Sequence, residues 1–289
     1  MTTIRAILNR DLRSIARAAT LIERRQASAL LKDLFPHTGK GLILGVTGAP
    51  GAGKSTLVDR FIRLLRAESL TVAVLAVDPT SPFTGGAILG DRVRMLDHYR
   101  DEGVFIRSMA TQGQLGGLAP TTSDMTVLLD AAGFDVILIE TVGVGQDEVE
   151  IAKLAHVTMV VLTPNTGDDI QAIKAGLMEI ADLFVINKAD LDGAAKLERE
   201  IKGAQCEAPV FLTSAQDGTG VAEALAAARQ CERRPVVQLW AGRLREMFRE
   251  KLLEQFPQQM FETAAQAIAE HKQDPYTVID QWLQSFMQK

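Results

Sequence analysis

The hydrophobic positions of this chain follow two alternating patterns. Short continuous runs of branched and apolar residues are separated by stretches in which apolar residues recur every three or four positions. A continuous run of this length is typical of a parallel strand covered on both faces, whereas the longer spacing predicts amphipathic helices. The alternation therefore predicts an α/β fold with a mostly parallel central sheet and helices on both faces. The predicted strands are residues 41–47, 71–77, 105–106, 134–139, 157–162, 183–186 and 210–212.

Helical patterns without strands occupy both ends of the chain. Asp11 is a suitable N-cap for a first helix, and a second helical run ends before Pro36. Strand signals stop beyond Pro235, and Asp274-Pro275 predicts the cap and first turn of the last helix. We therefore divide the chain into an N-terminal helical appendage (1–38), a central domain (39–234) and a C-terminal helical arm (235–289).

The C-terminal arm carries large apolar residues at helical spacing. Trp240, Phe248 and Trp282 are among them. Side chains of this size need an apolar surface to cover them. That surface is either the chain's own core or a second subunit.

A glycine-rich segment between the first predicted strand and the helix after it matches the phosphate-binding pattern G-x-x-x-x-G-K-[ST]. Its glycines let successive backbone N–H groups curl around an anion. Lys54 would place a charge beside the outer phosphates of a nucleotide, and Ser55 would offer a hydroxyl to Mg²⁺. The predicted nucleotide-binding residues here are Gly48, Ala49, Pro50, Gly51, Ala52, Gly53, Lys54, Ser55 and Thr56.

Two later loops predict which base is bound. Asn187, Lys188 and Asp190 follow the strand at 183–186, where a carboxylate can accept hydrogen bonds from guanine N1 and its exocyclic amine. Adenine offers no such pair of donors, so an aspartate here discriminates by several kcal/mol, on the order expected for an unpaired buried acceptor. Ser214 and Ala215 follow the next strand and suit the companion loop, whose backbone N–H meets the guanine oxygen.

Acidic residues after neighbouring strands predict a metal site. Glu140 closes the strand at 134–139, and Gly143 just beyond it can offer its N–H to a γ-phosphate. Asp78 ends the strand at 71–77, and Asp91 follows a glycine-rich segment. Carboxylates are suitable ligands of Mg²⁺. We therefore expect Ser55, Asp78, Asp91 and Glu140 to surround Mg²⁺, with Asp78 and Asp91 bracketing a nucleotide-sensing switch.

Composition narrows the possible partners. The formal net charge of −5 gives no broad basic surface, so nucleic acid is not expected as a partner. No stretch is long and apolar enough for a membrane span, and the first ten residues lack the apolar core of a signal peptide, so we expect a cytoplasmic protein without membrane association. The four histidines and two cysteines are scattered, which does not favour a zinc or nickel site.

Several of these motifs together resemble the methylmalonyl-CoA mutase-associated GTPases, also known as the MeaB or ArgK type. The resemblance covers roughly residues 11–220 and rests on Asp78-Pro, Gly90-Asp91-Arg, residues 140–146, residues 167–174 and residues 187–190. It implies a P-loop GTPase with GTP or GDP and Mg²⁺ as its cofactors. It also implies a chaperone of an adenosylcobalamin-dependent acyl-CoA mutase, which gates cofactor loading and protects or reactivates the mutase.

The resemblance also implies roles for individual residues. Lys54, Asp91 and Glu140 match the catalytic positions, and Asp168, Gln171 and Lys174 match a segment that couples the nucleotide state to the mutase. Family members are typically homodimers joined through C-terminal helices, which suits the apolar arm. Gln112, Gln114 and Asn165 depart from the family pattern in places that concern the partner.

No glutamine aligns with the water-positioning residue of Ras-like GTPases, because Val144 and Gly145 follow Gly143. We therefore expect slow intrinsic hydrolysis that the partner accelerates. Two alternatives share the phosphate loop: a kinase that passes the γ-phosphate to a small molecule or protein, and a GTPase that inserts nickel into an enzyme. The guanine-reading loop argues against the first, and the missing histidine-rich tail and paired cysteines argue against the second.

Overall fold

The central element is a seven-stranded sheet in the order β3-β2-β4-β1-β5-β6-β7, and every pairing in it is parallel. The computed structural model describes residues 4–78, 96–110, 120–141, 150–164, 177–204 and 207–287. The prediction of a parallel α/β fold is confirmed. The strands are β1 Leu42–Thr47, β2 Val72–Asp78, β3 Val104–Ala110, β4 Val136–Thr141, β5 Val157–Leu162, β6 Leu183–Ile186 and β7 Val210–Leu212.

Helices connect and cover these strands. Short helical turns lie at Phe35–His37, Leu96–Arg100 and Met178–Ile180. Among the described residues, no helix combines the length and apolar character that crossing a bilayer requires. The longer helices are α1 Ile4–Leu8, α2 Leu12–Glu23, α3 Ser28–Leu34, α4 Lys54–Ala67, α5 Pro120–Ala131, α6 Ala194–Gly203, α7 Val221–Gln230, α8 Val236–Leu253, α9 Gln258–Ala269 and α10 Pro275–Met287.

The strands are apolar on both faces because both faces are covered. Every residue of β1, β4 and β5 is buried. One face packs against α4 and α7, for example through Phe61 and Leu225. The other packs against the N-terminal helices and α5, through residues such as Ile15 and Leu128. This double cover explains why the strands read as continuous apolar runs.

The N-terminal helices belong to the same compact unit as the sheet. That unit comprises residues 1–239, and residues 240–289 form a second unit. The predicted cap of α2 is confirmed, since Asp11 accepts a hydrogen bond from the Ser14 N–H at 2.9 Å. Glu23 at the other end of α2 forms an ion pair with Arg107 of β3. The buried face of α2 packs in the same apolar cluster as the sheet, and the ion pair to β3 holds its C-terminal end.

A buried carboxylate shapes the turn that leads into β1. Asp130 of α5 accepts three consecutive backbone N–H groups, from Gly39 at 2.6 Å, Lys40 at 3.1 Å and Gly41 at 2.9 Å. An ionised carboxylate is the strongest acceptor available for such groups. This anchor holds the chain immediately before the strand that carries the phosphate loop.

The second unit is built around aromatic side chains. The Trp282 ring stacks on Phe256 at 5.6 Å between centroids and meets Phe261 edge-on at 5.0 Å. As predicted, Asp274 caps the last helix by accepting the Thr277 N–H at 2.9 Å, and Pro275 is its first residue. The described part of this unit therefore has a small apolar core of its own.

The strand order brings the important loops to one edge. β1 lies between β4 and β5, and Val46 pairs in register with Glu140. β6 lies between β5 and β7, and Ile186 pairs with both Leu162 and Leu212. The loops after β1, β4, β6 and β7 consequently leave the sheet at the same carboxyl edge, where α/β proteins bind their ligands.

Candidate nucleotide-binding site

The loop between β1 and α4 has the backbone conformation that its glycines predict. Gly48, Gly51 and Gly53 have φ values of 135°, 77° and 88°. A Cβ atom on Gly48 would lie 2.0 Å from the Val161 carbonyl oxygen, and one on Gly53 would lie 2.3 Å from the Asn187 side-chain nitrogen. Glycine is therefore required at both positions by backbone conformation and by close approach.

Lys54 lies inside this loop. Its Nζ donates to the carbonyl oxygens of Gly48 at 2.6 Å and Ala49 at 2.9 Å, and only 6% of the residue is exposed. The charge therefore lies against the concave backbone of the loop, at the first residue of α4. The partial positive charge of the helix N-terminus adds to it. Together they form a site that attracts a polyanion.

Ser55 and Glu140 meet beside the loop. The Ser55 hydroxyl donates to Glu140 Oε1 at 2.6 Å, and both residues are buried, at 8% and 4% exposure. The residues are 85 positions apart in the sequence and are joined because β4 is the neighbour of β1. A hydroxyl and a carboxylate are hard oxygen donors, so their chemistry fits Mg²⁺ beside a bound phosphate.

The described residues include only part of the predicted metal surround. Asp78 ends β2, where its backbone pairs in register with Ala110, and only its backbone is described. Its neighbour Val77 pairs with Thr141, so the backbone of Asp78 lies at the same carboxyl edge of the sheet as Glu140. Other predicted site residues lie outside the described residues: Asp91, Gly143, Asp168, Gln171 and Lys174, together with Gln112, Gln114, Val144, Gly145 and Asn165.

Asn187 joins the phosphate loop to the two predicted base-binding loops. Its side-chain Nδ2 donates to the Ala52 carbonyl at 2.8 Å. Its Oδ1 accepts the Ala215 N–H at 3.0 Å and the Thr213 hydroxyl at 3.2 Å. Asn187 is only 2% exposed, so it braces three loops from within the protein.

The remaining predicted base-binding residues lie around this brace. Lys188 adopts a φ of 56° and is exposed, and Asp190 is exposed in the turn that follows. Ser214 is buried, and its N–H donates to the Thr219 carbonyl at 2.9 Å. The structure thus places the predicted phosphate and base residues on one edge, with the Asp190 carboxylate open to solvent.

Two residues at this site were missed by sequence reasoning. Thr213 donates to Asn187, and Arg60 of α4 contacts the loop after β7. Neither residue belongs to a short motif. For a polar residue on a helix, such as Arg60, the sequence does not indicate which loop the side chain contacts. The apolar periodicity of α4 indicates only that Arg60 lies off its buried face.

These features define the class of protein. A glycine loop that encloses a lysine and begins a helix, beside a buried serine and glutamate, is the arrangement of a P-loop nucleotide-binding protein. The brace between this loop and the loops after β6 and β7 joins the phosphate end of the site to its base end.

Comparison with known proteins gives the family. Residues 15–273 match the family model described as "Methylmalonyl Co-A mutase-associated GTPase MeaB". The match covers most of the chain, which therefore belongs to the MeaB family of GTPases. The resemblance seen in the motifs is confirmed.

Individual relatives agree with this assignment. A putative GTPase of Pyrococcus horikoshii is 59% identical over 186 residues, which cover 64% of this chain and 59% of that protein. A mouse protein described as "Methylmalonic aciduria type A homolog, mitochondrial" is 42% identical over 194 residues, 62% of this chain and 47% of that protein. The chain thus spans about three fifths of the length of the Pyrococcus protein and about half of the length of the mouse protein.

A solved structure extends the similarity to nearly the whole chain. The crystal structure of a protein described as LAO/AO transport system kinase has a TM-score of 0.69 and 30% sequence identity to this chain. The similarity covers 99% of this chain and 96% of that one. The similarity therefore includes the N-terminal helices and the C-terminal helical arm as well as the sheet.

The contact between Gly53 and Asn187 can be tested by substitution. We expect Gly53→Ala to weaken GDP binding about tenfold more than Gly51→Ala, because the new methyl group would break the buried bond from Asn187 to Ala52. Gly51 is the matched control, since its φ is also positive but nothing lies within 4 Å of an added Cβ. Titration with a fluorescent GDP analogue measures both. Equal losses would show that backbone conformation alone matters.

Proposed function

We propose that the chain binds GTP with Mg²⁺ and hydrolyses it to GDP and phosphate. The observation that carries this proposal is the joint placement of the Lys54 loop, the Ser55–Glu140 pair and the Asn187 brace on one edge of the sheet. Residues 48–56 would cradle the phosphates. Asp190 would accept from guanine N1 and its amine, and the loop after β7 that carries Ser214 and Ala215 would offer a backbone N–H to the guanine oxygen.

Hydrolysis needs charge stabilisation and a positioned water. Ser55 and Glu140, with Asp78 and Asp91, would hold Mg²⁺, which neutralises charge on the phosphates when bound. Lys54 would hold the outer phosphates, and the Gly143 N–H would approach the γ-phosphate. Val144, not a glutamine, follows Gly143 directly, so intrinsic hydrolysis should be slow without a partner. Family membership and Asp190 favour hydrolysis of GTP over transfer of its γ-phosphate to an acceptor, as a kinase would do.

The base assignment predicts a switch in specificity. We expect Asp190→Asn to lose affinity for GTP and gain affinity for xanthosine triphosphate, because the amide donates where the carboxylate accepted. The loss should be about a hundredfold, as for removal of a charged hydrogen-bonding partner. Isothermal titration with both nucleotides measures the exchange.

Asp192→Asn is the matched control for this experiment. It makes the same chemical change two residues away on an exposed side chain, and we expect both affinities to stay as in the unmodified chain. If Asp190→Asn retains its preference for GTP over xanthosine triphosphate, Asp190 does not read the base.

We further propose that this GTPase serves an adenosylcobalamin-dependent acyl-CoA mutase, with methylmalonyl-CoA mutase as the first candidate. The family description names that mutase, and the name of the mouse relative refers to methylmalonic aciduria. The proposed role is to gate cofactor loading and to protect or reactivate the mutase, in the cytoplasm. Asp168, Gln171 and Lys174 are the proposed coupling residues.

Capture from a lysate of the source cells tests the partner. We expect the immobilised chain to retain a cobalamin-dependent mutase to different extents with a non-hydrolysable GTP analogue and with GDP, because a switch must differ in partner affinity between its two states. Mass spectrometry of the bound fraction identifies the partner. Lys54→Ala should abolish the difference between nucleotides, and recovery of no mutase in either state would overturn the chaperone role.

We also propose that the C-terminal arm joins two copies into a homodimer. Leu244, Met247 and Phe248 lie on one side of α8 and are exposed in the single chain, Phe248 by 67%. Leu283 and Phe286 are likewise exposed on α10. Apolar surface of this kind needs a covering partner.

Light scattering checks the dimer. We expect the unmodified chain to have the mass of two copies and Phe248→Glu to shift it towards one, because a buried charge without a partner is unfavourable. Gln238→Glu adds the same single negative charge at an exposed polar position of the same helix and serves as the control. A single-copy mass for the unmodified chain would rule out the dimer.

A further inference from the structure

Arg60 connects the phosphate-loop helix to the loop after β7. The residue lies in α4, six positions beyond Lys54, and its side chain is half-buried. Its Nε donates to the Ala215 carbonyl at 3.0 Å, and its Nη2 donates to the Gln216 carbonyl. A planar guanidinium can hold two acceptors in fixed directions at once. One side chain thus fixes two successive peptide groups.

Fixing these carbonyls also fixes the N–H groups of the same peptide units. The carbonyl and the N–H of a trans peptide lie in one plane and point in opposite directions. Because Arg60 draws the Ala215 and Gln216 carbonyls towards α4, the N–H groups of Gln216 and Asp217 are turned away from that helix. The loop therefore presents donors on the side opposite to Arg60.

The rest of the loop is closed by its own hydrogen bonds. The Gly218 N–H donates to the Ser214 carbonyl at 2.8 Å, and the Thr219 N–H donates to Asp217 Oδ1 at 2.8 Å. The bond from Thr219 holds the pKa of Asp217 below its usual value. The loop is thus a defined turn, and Arg60 determines how this turn is attached to α4.

Ala215 is held from two sides, and both attachments lead back to the phosphate loop. Its N–H donates to Asn187, which in turn binds Ala52, while its carbonyl accepts from Arg60 on the helix that begins at Lys54. The position of the loop after β7 relative to the phosphate loop is therefore fixed by two independent connections.

We propose that Arg60 is a positioning residue for base recognition. It holds Ala215 and Gln216 so that the N–H groups of Gln216 and Asp217 face the 6-oxo group of a bound purine. This inference rests on the proposed guanine site. Arg60 acts through the loop and makes no contact of its own with the nucleotide.

The choice of nucleotides separates this role from a general effect on α4. GTP and ITP both carry a 6-oxo group, whereas ATP carries an amino group there. We expect Arg60→Ala to weaken GTP and ITP binding together, by about tenfold, and to leave the weak binding of ATP unchanged. The preference for GTP over ITP should also stay constant, because Asp190 reads the 2-amino group. Equal losses for all three nucleotides would overturn the proposal.

Two further variants complete the experiment. Arg60→Lys keeps the charge but can serve only one carbonyl well, so we expect a smaller loss that is again limited to GTP and ITP. It provides the same comparison if Arg60→Ala does not fold. Arg229→Ala removes another contact of α4, the ion pair from Arg229 Nη1 to Glu68 at 2.8 Å at the far end of the helix. We expect it to bind all three nucleotides like the unmodified chain.

The result also separates this inference from the proposed function. If the unmodified chain prefers GTP and Asp190→Asn loses that preference, the guanine site is correct. Unchanged GTP and ITP binding in Arg60→Ala would then overturn only the role of Arg60. If the unmodified chain binds ATP as well as GTP, the guanine assignment itself is wrong and the role of Arg60 is rejected with it.

Discussion

The buried amide of Asn187 is the interaction on which the site depends. It bonds to the phosphate loop at Ala52 and to the loop after β7 at Thr213 and Ala215. Each of these segments follows a different strand of the sheet. A single side chain with two donors and an acceptor can join them because β1, β5, β6 and β7 are neighbours. The brace sets the distance between the phosphate loop and the loop after β7.

Helix α4 extends this connection in two directions. Arg60 reaches the base loop, whereas Arg63 and Arg66 pair with Asp97 and Asp101 on and just after the turn at Leu96–Arg100. That turn follows the segment containing Asp91 along the chain. The helix that begins at the phosphate loop therefore contacts both the loop after β7 and the turn at Leu96–Arg100.

Carboxylates have different tasks at the two edges of the sheet. At the amino edge, Asp130, Asp135 and Asp182 accept backbone N–H groups and hold turns. Burial raises the pKa of Asp182 and outweighs its hydrogen bond from Thr158, while at Asp135 the bonds from Thr71 outweigh burial and lower the pKa. At the carboxyl edge, Glu140 faces a hydroxyl beside the phosphate loop. The first group supports the fold, whereas Glu140 lies beside the phosphate loop.

The sequence by itself determined the features that depend on local spacing. The order of strands and helices, the caps at Asp11 and Asp274 and the glycine-rich phosphate loop all follow from residues close together in the chain. Tertiary structure decided the rest. Strand β3 is longer than the predicted pair Phe105–Ile106, because it pairs with β2 over seven residues. The pairs Ser55–Glu140, Asn187–Ala52 and Arg60–Ala215 exist only through the strand order, and periodicity carries no information about which strands become neighbours.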